Sequence, residues 1–166
     1  LWFYAANDLR GLAVLLASAL VNWAIGRKLT GHPRKPLLIL GVLLNLGTLG
    51  VLKYTNFVLE NIGRLTGHTF GAVSLLLPLG ISFFTFQQVA YLVDAYQGKA
   101  ERYALDEYAL FVSFFPYVMS GPIAFHSEIL PQLRAPACRR LDWERLAHGL
   151  TLIGYGLAKK VLLADT

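Results

Sequence analysis

Two amides and a carboxylate, Gln87, Gln88 and Asp94, stand inside the otherwise apolar stretch 76–98, LLPLGISFFTFQQVAYLVDAYQG, with Ser82 and Thr85 beside them. Polar groups within such a run are costly in lipid unless they line a route or meet protein partners. Adjacent residues on a helix project about 100° apart, so at least one of Gln87 and Gln88 must face protein. A helix–helix contact is the plain reading of that pair, and a polar tunnel wall is the sharper one. Asp94 closes the run, where it hydrogen-bonds a neighbouring helix, lines a funnel or caps the helix at headgroup level. Further on, FFPYVMSGPI (114–123) is broken by Pro116, Gly121 and Pro122, and His126 follows. Histidine suits general-base work near neutral pH, and His126 is the candidate base here. In a polar connection, however, a histidine is more often a solvated or hydrogen-bonded surface group. Glu128 stands two positions away, a spacing that does not put it on one helical face with His126.

The remaining reactive side chains form no constellation. His148 lies in LAHGL, where a helix-packing role is favoured, and His32 and His68 sit in connections. Lys159 and Lys160 either mark the cytoplasmic end of a helix or attract an anionic donor such as a coenzyme A phosphate. The single cysteine, Cys138, excludes an internal disulfide and a cysteine-based metal site, and is read as inert or lipidated. No Gly-rich phosphate loop, GxSxG elbow, HExxH or His/Cys cluster is present, which disfavours metal and nucleotide enzymes. No metal site is expected.

The elements that must hold these residues are membrane helices. Of the 166 residues, 55% are hydrophobic and only 15% charged, and the mean hydropathy is +0.51, too apolar for an ordinary soluble domain of this size. Aromatics at the ends of apolar runs (Trp2, Phe3 and Tyr4; Tyr54 and Phe57; Tyr103 and Tyr108) suit interfacial belts. The net charge of +5 is scattered among short connections, and the aromatics are embedded in apolar runs, so no nucleic-acid surface is indicated.

Five apolar segments follow, at about 1–25, 37–59, 75–93, 108–123 and 146–164. They are weighed against the roughly 20 helical residues that cross a ~30 Å hydrocarbon core. Lys53 interrupts the second, but its stem can snorkel and let the helix continue. The fourth is too short and too broken by Pro116 to span, and a spanning fourth segment would also put Arg134, Arg139, Arg140 and Arg145 outside, against the positive-inside bias. It is therefore read as re-entrant or interfacial, a geometry tolerated only where protein or a water-filled cavity surrounds it. The connection 26–36, with Arg27, Lys28, Arg34 and Lys35 and no acid, is the best cytoplasmic candidate. The expected fold is all-α, about four spanning helices plus the re-entrant one, in a single membrane domain of residues 1–166. Both ends read as cut, because the chain opens inside an apolar run without Met.

Four motifs in order carry a family resemblance: KYTNF (53–57), LLPLGISFFTFQQVAYLVD from Leu76, YALFVSFFPYVMSGPI (108–123) with LPQL (130–133), and GLAKKVLLAD (156–165). Together they resemble the membrane-bound O-acyltransferase family, in its bacterial alginate O-acetylation branch and, more distantly, the membrane protein of D-alanine transfer to teichoic acid. The resemblance implies a multi-pass enzyme of the bacterial inner or plasma membrane. It would move an acyl group, acetyl above all, from a cytoplasmic thioester donor (acetyl-CoA or acyl carrier protein) to a hydroxyl of an extracytoplasmic polysaccharide or cell-wall polymer. Its partners would be the lipid bilayer, that donor, the glycan acceptor and a periplasmic or extracellular acyltransferase, with no bound cofactor and no nucleic acid.

The family's catalytic histidine belongs to an apolar, Trp-containing segment downstream of GPI that nothing here matches. Residues 1–166 are thus expected to supply wall and framework, with Gln87, Gln88, Asp94, Gly121 and Pro122 as candidate funnel lining. Many relatives carry Arg two positions after the Ile of GPI, where this chain has Phe125 followed by His126. The alternative is a non-enzymatic transporter or scaffold component of a glycan-export system.

Overall fold

The structure is a computed structural model, described here for residues 9–67, 71, 73, 77–114, 124–135 and 142–164. Among these residues every regular element is helical: α1 (Leu9–Gly31), α2 (Lys35–Thr66), α3 (Ile81–Tyr96), α4 (Leu105–Val112), α5 (His126–Arg134) and α6 (Trp143–Lys159), the last running into a π-helical turn, Lys160–Ala164. The expected all-α class is what is found. The chain divides into two compact units, 1–130 and 131–166, with Pro131 inside α5 at the division.

In the first unit α1 and α2 are long and apolar enough to cross a membrane. At about 1.5 Å per residue they reach roughly 35 and 48 Å against a hydrocarbon core of about 30 Å. Helix α2 continues unbroken through Lys53, whose ammonium lies 3.2 Å from Ser82 Oγ. It begins with Pro36 in its first turn and ends at Gly67, whose φ of 72° is the left-handed stop that glycine supplies without strain. A second glycine in that conformation, Gly80 (φ 68°), starts α3 just beyond Pro78. The two helices expose large apolar side chains along much of their length, among them Leu20, Leu43, Val51, Tyr54 and Phe57, a surface matched to lipid rather than water.

The core forms where α3 packs against both α1 and α2, with α4 against α1. The buried stripe of α1, Gly11, Leu15, Ala19, Asn22, Ile25, Gly26 and Leu29, follows the helical period. That of α2 is narrow: Gly41, Asn45 and Leu49. Two glycines set the close approach. A Cβ on Gly26 would stand 2.6 Å from Tyr91 Cζ, and one on Gly41 would stand 2.6 Å from Leu92 Cδ1, so α3 lies nearly against the backbones of α1 and α2. Burial on α3 (Ile81, Phe84, Thr85, Gln87, Gln88, Tyr91, Leu92 and Ala95) extends around much of its circumference.

Helix α3 comprises 16 residues and α4 eight, about 24 and 12 Å, both short of a crossing as described. Helix α4 starts with Asp106 and Glu107 in its first turn, and the Glu107 carboxylate accepts from the Ala104 N–H at 3.0 Å. Gly121 and Pro122, and with them residues 115–123 of the expected re-entrant segment 108–123, lie outside the described residues, as do His68 and Cys138.

In the second unit α6 is capped by Asp142, whose Oδ1 accepts from the backbone N–H of Glu144 (3.1 Å) and Arg145 (3.2 Å). Leu146, Leu150, Ile153 and Leu157 recur along it at helical spacing and are exposed. His148 is exposed too, so the expected packing role is not what the described residues show. The local reason is that α6 buries none of its side chains.

Candidate functional site

The polar residues of α3 sort into two groups on different faces. Gln88, fully buried, pairs with Ser18 of α1, its Nε2 donating to Ser18 Oγ at 3.1 Å. The ladder continues across the helices. Asn22 Nδ2 donates to the Ser18 carbonyl (2.9 Å) and to Asn45 Oδ1 of α2 (3.1 Å), and Asn45 Nδ2 returns a bond to Asn22 Oδ1 at 2.6 Å. Each amide satisfies the other, which is what allows both to be buried in an apolar interface. A cavity of about 350 Å³ lies beside this pair, lined among others by Val14, Ser18, Asn22, Leu44 and Thr48.

The second group faces the start of α5. Gln87 Nε2 donates to the Ala124 carbonyl at 3.4 Å. One helical repeat further, Asp94 Oδ2 lies 3.0 Å from His126 Nε2. His126 Nδ1 is in turn 2.8 Å from the Tyr103 hydroxyl. A carboxylate only accepts, so Nε2 carries the proton toward Asp94, and in the neutral ring Nδ1 accepts from the Tyr103 O–H. Aromatic rings close the surroundings. Tyr91 meets the imidazole edge-on at 5.5 Å between centroids, Phe111 likewise at 6.4 Å, and Tyr108 stacks obliquely on Tyr91 at 4.7 Å.

His126 is thus no surface group. It is 1% exposed, and both ring nitrogens are engaged. As placed, it offers no nitrogen to an incoming hydroxyl and instead fastens three segments together. Asp94 takes the neighbouring-helix role, and Glu128 is not its substitute. The carboxylate at His126 comes from 32 positions away.

Tyr103 and Tyr108 also depart from the belt reading. Both are buried, because the connection after α3 folds back into the core rather than lying at the interface. Tyr103 is the member of this cluster that sequence spacing does not suggest. Its hydroxyl meets His126 while its backbone carbonyl accepts from Trp23 Nε1 of α1 at 2.9 Å. Tyr91, Ser18, Asn22 and Asn45 are likewise visible only once the helices are assembled.

Among the described residues no three His, Cys, Asp or Glu side chains gather around a possible metal position. Lys159 and Lys160 lie at the junction of α6 and its π turn, exposed.

Among the described residues, helices that expose apolar side chains and bury side-chain ladders are the build of a membrane protein. The chain is 36% identical to the peptidoglycan O-acetyltransferase of Helicobacter pylori, over 99% of its own length and 37% of the relative's. It is 34% identical to the probable alginate O-acetylase AlgI of Pseudomonas aeruginosa, over 78% of its length and 25% of that protein's. A shorter match, 40% over 53 residues, is to the teichoic acid D-alanyltransferase of Streptococcus thermophilus. These relatives bear out the resemblance read from the motifs: over nearly its whole length the chain is homologous to a peptidoglycan O-acetyltransferase and to probable alginate O-acetylases of bacteria. It spans well under two thirds of their length. No family model matches the chain, and no solved structure matches it.

Proposed function

We propose that the protein containing this chain is a multi-pass bacterial membrane O-acyltransferase. It transfers an acyl group, acetyl by preference, from a cytoplasmic thioester to a hydroxyl of an extracytoplasmic polysaccharide or cell-wall polymer. The observation that carries this reading is the 36% identity to a peptidoglycan O-acetyltransferase along 99% of the chain.

The helices described here act as framework. The Gln88–Ser18–Asn22–Asn45 ladder holds α1, α2 and α3 together, and the Asp94–His126–Tyr103 cluster anchors the residues that follow the GPI motif. His126 is then not the general base that activates the acceptor hydroxyl, since both its nitrogens are engaged, and that role falls to another histidine, as the family resemblance implies. Of the candidate lining residues, Gln88 and Asp94 belong to this framework, which leaves Gln87, Gly121 and Pro122 to border the route along which donor and acceptor meet.

Deleting the gene and measuring base-labile O-acyl esters on each extracytoplasmic polymer tests the proposal. One polymer should lose its esters and regain them on complementation. Unchanged esters on every polymer, with export of a glycan impaired instead, would favour a transport or scaffold role.

A further inference from the structure

A cleft of about 330 Å³ opens where α1 ends and α2 begins, lined by Arg27, Lys28, Gly31, His32, Arg34, Leu37 and Arg102. Three guanidinium groups and an ammonium share this lining with a histidine and an aliphatic side chain, and no carboxylate is among them. All four cations are exposed, so water screens part of their repulsion, and an anion entering the space would relieve what remains.

Two of the four cations, Arg27 and Arg102, have contacts that place them. Arg27 lies over the Trp23 ring at 5.3 Å, and Trp23 Nε1 bonds the Tyr103 carbonyl, which fixes the backbone next to Arg102. Gly31 leaves room for that side chain, since a Cβ there would stand 2.6 Å from Arg102 Nη2. Arg102 comes from the connection between α3 and α4, whereas the other cations belong to α1 and to the turn before α2. The tertiary fold therefore brings Arg102 from a distant segment to the basic connection 26–36 and completes the cleft. Arginine forks match phosphate oxygens in pairs, and a carboxylate offers fewer acceptors for four cations.

We propose that this cleft binds a phosphate ester. Two sources carry that chemistry at a membrane end rich in positive charge: the phosphates of a soluble acyl thioester donor, and the headgroup of an anionic lipid. Assigning the donor rests on the acyl-transfer reading above, whereas phosphate binding itself does not.

The test uses full-length protein in nanodiscs and reads binding without acceptor, so it is independent of turnover. In neutral-lipid discs, coenzyme A is titrated calorimetrically into wild type, Arg34→Gln, Arg102→Gln, Gly31→Ala and Lys159→Gln. Lipid retention is measured in parallel, by mass spectrometry after delipidation from mixed anionic and neutral lipid. With the donor as source, coenzyme A binds to the wild type, about tenfold more weakly to Arg34→Gln and Arg102→Gln. Gly31→Ala, which keeps every charge but displaces the Arg102 guanidinium, weakens it as well, and Lys159→Gln does not.

With lipid as source, coenzyme A does not bind, and retained anionic lipid falls in the same three variants. Anion binding indifferent to Arg34 and Arg102, binding lost only in Lys159→Gln, or no binding of either probe by a monodisperse wild type would overturn the proposal. If phosphate binding follows Arg34 and Arg102 while no polymer loses its acyl esters on gene deletion, the cleft stands and the acyl-transfer reading falls.

Discussion

Asp94 Oδ2 and His126 Nε2 meet at 3.0 Å across 32 positions of sequence, joining the end of α3 to the first residue of α5. The imidazole is 1% exposed and its other nitrogen is held by Tyr103 at 2.8 Å, so three segments converge on one ring. A buried network of this kind rigidifies a site when every member is satisfied and is costly when one is removed.

Replacing Asp94 with Leu in the full-length protein should therefore strand His126 Nε2 and lower stability by about 1–3 kcal/mol, the usual cost of an unsatisfied buried donor. Asp94→Asn, which keeps an acceptor oxygen, should lose less. Thermal unfolding in detergent, compared across the two variants, checks the order. Equal losses would mean that the hydrogen bond at Nε2 contributes little.

The reciprocal amides Asn22 and Asn45 give a second expectation. Asn45→Leu leaves Asn22 without its cross-helix partner, and the single variant should lose about 1 kcal/mol. The double variant Asn22→Leu/Asn45→Leu should recover part of that, because two apolar groups leave no orphaned amide. A double-mutant cycle on unfolding free energy reads the coupling directly, and purely additive losses would contradict the pairing.

Much of this framework can be read from the sequence, and the reasons for the rest are physical. Gln87 and Gln88 stand out because amides contrast with the apolar run around them, and α2 is foreseen through Lys53 because a lysine stem can snorkel. His126 stands out only as a candidate base and Tyr103 only as a belt aromatic, not as buried partners. Each lies in a connection whose local composition is polar, and their mutual contact spans 23 positions, beyond any helical or strand periodicity. The Tyr103 and Tyr108 rings resemble belt aromatics by position alone. Only the return of the chain from α3 into α4 turns them inward.

Close approach of α1 and α3 depends on Gly26. Gly26→Ala places a methyl against the Tyr91 ring, which is itself packed by Tyr108, Tyr103 and His126 and has little freedom to yield. A loss of about 1–3 kcal/mol is expected from this overpacking. Gly41→Ala meets the end of a leucine side chain, Leu92, and should lose less. Melting temperatures of the two variants rank them, and the reverse order would show that α3 adjusts more readily at Tyr91 than at Leu92.

The Tyr108 hydroxyl is buried and has no hydrogen-bond partner among the described residues. Tyr108→Phe removes a desolvated polar atom while keeping the ring contacts with Tyr91 and Phe111, so the variant should be as stable as the wild type or slightly more stable. A drop in melting temperature would reveal that the hydroxyl has a partner.

Acyl transfer itself is tested most directly by reconstituting the full-length protein in sealed vesicles with radiolabelled acetyl thioester on one side and the acceptor polymer on the other. The account predicts that label accumulates on the polymer as base-labile ester, only with protein present. Label that stays with the donor or appears as free acetate, while the polymer remains unmodified in the presence of folded protein, would contradict it.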